Sequence, residues 1–89
     1  LAVAEAHRDH GLGRRLVEAG LGHARGHGAS RVVLATGAAD TDLLRFYQRI
    51  GFRMVRIERD AFTPGSGYPA DLFVDGIRLI DRVWLDIAW

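Results

Sequence analysis

The feature that most constrains this fold is a segment rich in glycine and arginine, residues 7–16, set between an apolar run and a long helical pattern. The apolar run over residues 1–4 predicts a strand, and the periodicity from residue 11 to about residue 27 predicts an amphipathic helix. N–H groups in the first turn of a helix lack intrahelical partners, and the helix dipole adds partial positive charge there. Gly11 and Gly13 would let an anion approach the backbone closely. The segment therefore predicts a phosphate cradle, with an ordinary tight turn before a helix as the alternative.

Length and composition predict one small domain over residues 1–89. The absence of cysteine excludes disulfides and thiolate metal sites, and a net charge of +1 with interspersed signs gives no overall field for nucleic acid or membrane. No apolar run is long enough to span a bilayer, and we expect a cytoplasmic protein. The chain begins within an apparent strand, so we expect it to be a piece of a longer protein.

The middle of the chain predicts an alternation of strands and helices. The apolar run over residues 31–36 predicts a strand covered on both faces, and Asp40 or Thr41 is expected to cap the next helix, which Gly51 ends. A further strand is predicted from residue 52 to about residue 59, and this strand–helix–strand order predicts a right-handed crossover between neighbouring parallel strands. The apolar residues of the second helix, at helical spacing, are Leu43, Phe46, Tyr47 and Ile50.

The last third of the chain predicts a loop over residues 61–71 and then a tight hairpin. Asp75 and Gly76 suit a type I′ turn between two short apolar runs. Residues 82–87 alternate as a half-buried strand does. For the first helix, the residues expected near the buried face are Leu12, Leu16, Val17, Ala19 and Ala24.

Two motifs occur in a fixed order along the predicted elements. The first, Arg8-x-x-Gly11-x-Gly13, lies at a strand–helix junction, and the second, Phe46-Tyr47-x-x-x-Gly51-Phe52, closes the next helix. With Ala24-Arg25-x-x-Gly28 and Val33-Leu34 between them, residues 1 to about 60 resemble the GNAT superfamily of acyl-CoA-dependent N-acyltransferases. The resemblance implies an α/β fold with a mixed sheet, in the order strand–helix–strand–helix–strand followed by a hairpin and a strand. It also implies that the N-terminal half of the fold, which holds the acceptor, is absent from this chain.

The resemblance further implies an activity and a set of site residues. The activity is transfer of an acetyl group from acetyl-CoA to an amine, without a metal, and no residue of this chain is assigned as the general base. Leu1 and Val3 would contact the thioester carbonyl and the pantetheine arm, and Tyr47 would protonate the departing thiolate. Asp40 would lie near CoA at a position where the family often has Asn. The residues that would hold the pyrophosphate are Arg8, Gly11, Leu12, Gly13, Arg14 and Arg15.

Several alternatives stay open at this point. Tyr47 also fits a core tyrosine, and Trp84 and Trp89 fit packing or interface residues. The histidines are expected to be solvated and not to bind a metal, because the pairs His7/His10 and His23/His27 lie on different elements. A second hypothesis is a non-catalytic module that binds CoA, or that forms a homodimer through the exposed strand edge at residues 1–4. Nucleic-acid binding through residues 8–15 is a third, less favoured hypothesis.

Overall fold

The computed structural model describes residues 10–89, with side chains from residue 13 onward. The predicted strand at residues 1–4 lies outside the described residues. The helices and strands, in chain order, are α1 His10–Gly26, β1 Arg31–Gly37, α2 Thr41–Ile50, β2 Arg53–Glu58, β3 Phe73–Val74, β4 Ile77–Arg78 and β5 Arg82–Ala88. The α/β fold expected from the sequence is confirmed.

The sheet formed by β1, β5 and β2 corrects one prediction. The strand order is β1-β5-β2, and β5 pairs antiparallel with both neighbours. The parallel strands β1 and β2 are therefore not adjacent, because the C-terminal strand lies between them. The prediction of neighbouring parallel strands was wrong, since sequence order alone does not reveal a strand that returns later to the gap.

Both helices cover the same face of this sheet. Leu85 in β5, which is 0% exposed, packs in one cluster with Val17 of α1 and with Phe46 and Tyr47 of α2. The other face of β1 carries Val33, which is 45% exposed, so the prediction that β1 is covered on both faces was wrong for the described residues. We call this second side of the sheet the helix-free face.

The buried line of α1 differs from the predicted one. Val17 is 1% exposed and Leu21 and Ala24 are partly buried, whereas Leu16 is 47% exposed and Ala19 is also exposed. The helix thus packs along residues spaced by about one turn, starting at the buried Gly13. Leu16 was wrongly expected near the core because its position is about 100° away from that of Val17 around the helix.

The local signals in the rest of the chain correspond to the observed elements. Asp75 and Gly76 have φ angles of 49° and 81°, as a type I′ turn requires, and join β3 to β4. β2 contains a register shift between Met54 and Arg56, and this bulge is the reason for its mixed alternation. A single 3₁₀ turn, Pro64–Ser66, interrupts the loop that precedes the hairpin.

Candidate functional site

The N-terminal turn of α1 carries the predicted phosphate cradle. The helix begins at His10, one residue earlier than expected, so Gly11, Leu12 and Gly13 all lie in its first turn. The amides of Gly11 and Leu12 are among those that lack an intrahelical partner, because the first intrahelical hydrogen bond is donated four residues after the N-cap, and no acidic residue lies in this turn to compete for them. The turn is therefore suited to an anion. Leu1, Val3 and Arg8 lie outside the described residues.

Two arginines follow this turn on α1. The Nε of Arg14 lies 3.6 Å from a carboxylate oxygen of Glu18, and both side chains are about half exposed, at 50% and 52%. Such an exposed pair contributes only about 0.3–0.5 kcal/mol, so an anion could displace Glu18 at little cost. Arg15 is exposed and forms no ion pair with another described residue. Both guanidinium groups therefore lie near the start of α1 in exposed positions.

Asp40, predicted to lie near CoA, has a structural role at the start of α2. Its carboxylate accepts a hydrogen bond from the N–H of Leu43 at 3.1 Å, and its backbone carbonyl accepts one from Leu44, also at 3.1 Å. Asp40 is therefore the N-cap of α2. Its contact with CoA stays a prediction.

Tyr47 lies in the core of the domain, as the alternative interpretation expects. It is 5% exposed, and its ring packs edge-to-face against Phe46 and Phe52 at centroid distances of 5.3 and 5.5 Å. Burial raises the pKa of Tyr47 above its ordinary value of 10.0. The phenol thus holds its proton at neutral pH, as a general acid must, and its catalytic role stays a prediction.

The fold brings the cradle and Tyr47 to the same side of the sheet. Val17 follows Gly13 by about one helical turn and packs in the same buried cluster as Tyr47. The two helices also contact each other directly. The N-terminal turn of α1 and the middle of α2 therefore lie on the helix-covered face.

A cluster on the helix-free face was not indicated by any sequence motif. The indole N–H of Trp84 donates to a Glu58 carboxylate oxygen at 3.0 Å, and Arg82 donates to the same oxygen at 3.3 Å. The guanidinium of Arg56 lies over the Trp84 ring, 4.8 Å from its centroid. Trp84 thus packs as predicted, but its partners come from another strand. The one available signal was the alternation of charged and aromatic residues along β5.

The described residues offer no metal centre and no membrane-spanning helix. Among residues 10–89, no three His, Cys, Asp or Glu side chains converge as metal ligands would. His23 and His27 lie side by side, with ring centroids 4.2 Å apart, and a ring nitrogen of His27 is 2.9 Å from the His23 carbonyl oxygen. No helix in this part of the chain has the length and apolar character needed to cross a bilayer.

Comparison with known proteins assigns the chain to a family. The sequence model described as the acetyltransferase (GNAT) family matches residues 1–52, which is more than half of the chain. The chain therefore belongs to the GNAT acetyltransferase family, which confirms the resemblance seen in its motifs.

The relatives are acetyltransferases of greater length. The uncharacterized N-acetyltransferase YvbK of Bacillus subtilis is 34% identical over 89 residues, which cover 98% of this chain and 56% of that protein. A mycothiol acetyltransferase of Corynebacterium glutamicum is 40% identical over 52 residues, 58% of this chain and 18% of the relative.

Solved structures give the same result. A Bacillus subtilis acetyltransferase in complex with CoA superposes with a TM-score of 0.81 at 33% identity, covering 89% of this chain and 51% of that one. A GNAT family acetyltransferase from Elizabethkingia anophelis with acetyl-CoA bound has a TM-score of 0.79 at 28% identity, with coverages of 89% and 50%. The chain thus spans about half the length of these relatives, as expected for a partial GNAT fold.

Proposed function

We propose that this chain is the acetyl-CoA-binding portion of a cytoplasmic N-acetyltransferase, which transfers the acetyl group of acetyl-CoA to an amine. The observation that carries the proposal is the start of α1 at His10, which leaves the amides of Gly11 and Leu12 without helical partners. Membership of the GNAT family and the CoA-bound structural neighbours support acetyl-CoA as the ligand of these amides. The pyrophosphate would lie at the turn, with Arg14 and Arg15 beside it.

The proposed reaction is direct transfer through a tetrahedral intermediate. The amine nitrogen attacks the thioester carbonyl carbon and forms the C–N bond. Negative charge then develops on the carbonyl oxygen, and backbone N–H groups near Leu1 and Val3 would stabilise this charge. Collapse of the intermediate breaks the C–S bond, and the departing thiolate takes the proton of the Tyr47 hydroxyl. The proton lost by the amine goes to a base that we do not assign, and solvent then reprotonates the tyrosinate.

The protonation state of Tyr47 is compatible with its role as the acid. Burial raises its pKa, so the phenol is protonated throughout the neutral range, as any general acid must be before it donates. In a preparation that turns over, Tyr47→Phe should keep the ring contacts with Phe46 and Phe52 and lower kcat without weakening acetyl-CoA binding. Unchanged turnover and an unchanged pH profile would contradict the assignment.

Acetyl-CoA binding is tested by calorimetric titration of the 89-residue chain. Gly13→Glu places a carboxylate in the first turn of α1 and should abolish binding by repelling the pyrophosphate. The matched control is Gly20→Glu, which adds the same side chain two turns further along α1, where a Cβ meets nothing within 4 Å. Circular dichroism confirms that each variant is folded.

Because Gly13 is buried, a side chain there could disrupt packing, and a second variant tests the cradle without changing a buried residue. Arg14→Gln combined with Arg15→Gln removes two exposed charges without adding bulk, and should weaken acetyl-CoA binding by about tenfold. Equal binding by wild type, Gly13→Glu and the double variant would refute the phosphate cradle.

A second candidate function is self-association without catalysis. The homodimer hypothesis named the edge at residues 1–4, which lies outside the described residues, and the described edge that could serve instead is that of β1. Within residues 10–89, β1 pairs with β5 on one side only, and its exposed Val33 lies on the helix-free face. A seven-residue strand whose outer edge has no partner among residues 10–89 is suited to pairing with a second copy. Sedimentation equilibrium would show a concentration-dependent dimer, whereas a strict monomer at high concentration would contradict this candidate.

A further inference from the structure

The helix-free face carries most of the charge of the central sheet. Strand register places Trp84 between Ala35 of β1 and Arg56 of β2, in one row across the sheet. The next row on one side joins Val33, Asp86 and Arg53, and the next on the other side joins Gly37, Arg82 and Glu58. Within these three rows the β1 positions are uncharged, whereas the β5 and β2 positions include ionic groups; Arg31 of β1 lies one row further along, opposite Ala88.

The acidic groups of this face are already paired. Asp86 binds Arg31, with an Nε to Oδ2 distance of 2.7 Å, and Glu58 binds Arg82 at 3.3 Å. Arg53 and Arg56 form no ion pair with another described residue, although Arg53 is in register with Asp86. The face therefore has an excess of two positive charges, both on β2.

The bulge in β2 is what brings these two arginines to the same face. Residues three apart along a regular strand point to opposite faces, because the side-chain period is two. The register shift between Met54 and Arg56 inserts one extra residue, so Arg53 and Arg56 both pair with helix-free-face residues of β5. Their side chains become next neighbours along the strand on that face.

Trp84 gives one of these arginines a fixed position. Its indole is held by the hydrogen bond to Glu58, and the Arg56 guanidinium stacks on the ring at 4.8 Å. A stacked guanidinium keeps its N–H donors in its own plane and free for a carboxylate, which it binds in a bidentate manner. On its β1 side, Trp84 is in register with the small side chain of Ala35.

The end of the face beyond Arg82 is closed. Leu79 covers Gly37 so closely that a Cβ at this glycine would lie 2.6 Å from a Leu79 methyl group. A ligand can therefore lie beside Trp84, over Ala35 and Val33, with its charged end at Arg53 and Arg56. The phosphate cradle is on the opposite side of the sheet, because α1 packs on the helix-covered face.

We propose that Arg53 and Arg56, with Trp84, form a carboxylate-binding site for the acceptor, and that the acceptor is an amine that also bears a carboxylate. The identity of the ligand as an acceptor rests on the proposed acetyltransferase function. The carboxylate site itself rests on two guanidinium groups that form no ion pair within 4.0 Å with another described residue, and on the ring of Trp84 beneath one of them. A carboxylate held here would not share the donors that bind the CoA pyrophosphate, because α1 lies on the helix-covered face.

The test is a titration of the 89-residue chain followed by NMR. The probes are L-glutamate and L-glutamine at equal ionic strength, because they differ by one carboxylate. The reporter is the Trp84 indole N–H, assigned by comparison with Trp89→Phe, since the chain has two tryptophans. We expect a saturable shift with glutamate and weaker binding of glutamine.

Two double variants with the same charge change locate the site. Arg53→Gln with Arg56→Gln should weaken glutamate binding by about tenfold or more, because it removes the charged hydrogen-bond donors. Arg45→Gln with Arg49→Gln, on α2 beside a separate groove, should leave glutamate binding unchanged. No saturable shift in the wild type, or equal losses in both variants, would overturn the proposal.

A calorimetric titration of the same variants with acetyl-CoA separates the two proposals. We expect Arg53→Gln with Arg56→Gln to retain acetyl-CoA affinity. A loss of acetyl-CoA binding with unchanged glutamate binding would show that these arginines bind CoA, and would overturn the acceptor site. Glutamate binding by a wild type that does not bind acetyl-CoA would refute the proposed function and leave the carboxylate site standing.

Discussion

Replacement of Asp40 separates its structural role from a contact with CoA. In Asp40→Ala, the N–H of Leu43 loses the carboxylate oxygen that now accepts its hydrogen bond at 3.1 Å. In Asp40→Asn, the side-chain carbonyl can still accept that bond, and only the negative charge is lost. The two variants therefore remove the cap and the charge separately.

The magnitudes follow from the capping geometry. Loss of an N-cap costs about 1 kcal/mol, with a range of roughly 0.5–2, whereas loss of the charge alone at a helix N-terminus costs about 0.3–1 kcal/mol. A domain of this length has a total stability of about 4–13 kcal/mol. We therefore expect Asp40→Ala to lower the melting temperature by about 5 °C and Asp40→Asn by less.

The assay is urea unfolding followed by circular dichroism, with the free energy of unfolding extrapolated to water. The expected order of stability is wild type, then Asp40→Asn, then Asp40→Ala, with similar slopes. Equal stability of the alanine variant and the wild type would refute the capping role. Calorimetry with acetyl-CoA on the same proteins then tests the CoA contact, because a carboxylate near a phosphate weakens binding and its removal in Asp40→Asn would tighten it.

Three further predictions concern the core and the titratable groups. Leu85→Ala should lower the free energy of unfolding by roughly 2–5 kcal/mol, whereas Ile57→Ala, at a position 63% exposed on β2, should change it by less than about 0.5 kcal/mol in the same urea assay. In a Tyr68→Phe background, ultraviolet difference spectra should show that Tyr47 ionises above pH 10.0. The free energy of unfolding should fall as the pH rises through this range, because the tyrosine of the unfolded chain loses its proton at a lower pH. Ionisation of Tyr47 at or below pH 10.0 would contradict the effect of burial. The hydrogen bond from Trp84, followed by the charges of Arg82 and Arg56, lowers the pKa of Glu58 below its ordinary 4.5. The ionised carboxylate should therefore contribute fully to stability above pH 4.5, and this contribution should be lost as the pH falls through the lowered pKa. A difference in unfolding free energy between wild type and Glu58→Gln that does not change with pH would refute this prediction.

Local signals in the sequence predicted the structure correctly where residues close in the chain determine it. Helix α2 has the predicted cap at Asp40 and ends before Gly51, whose φ of 126° is unfavourable for other residues. The Asp75–Gly76 turn formed as predicted for the same kind of reason, because both residues have positive φ angles. The burial of Tyr47 also followed from its spacing within α2.

Features that depend on distant contacts were not predictable in this way. β5 occupies the gap between β1 and β2, and no periodicity in residues 31–59 indicates a strand that arrives from residue 82 onward. The cluster of Arg56, Glu58 and Trp84 depends on this insertion and on the bulge in β2. The proposed carboxylate site could therefore not be predicted from the sequence, because its residues come together only through these distant contacts.

The inserted strand also explains how one small sheet can serve two proposed sites. Residues 1–52 carry the family signature, but the strand at the centre of the described sheet is β5, Arg82–Ala88. Because side chains alternate along a strand, Val83 and Leu85 support Tyr47 on the helix-covered face, whereas Trp84 between them orients Arg56 on the helix-free face. The proposed acid for acetyl-CoA and the proposed carboxylate site for the acceptor are thus positioned by adjacent residues of one strand. Because β5 contacts both, a disturbance of its register would affect both sites together.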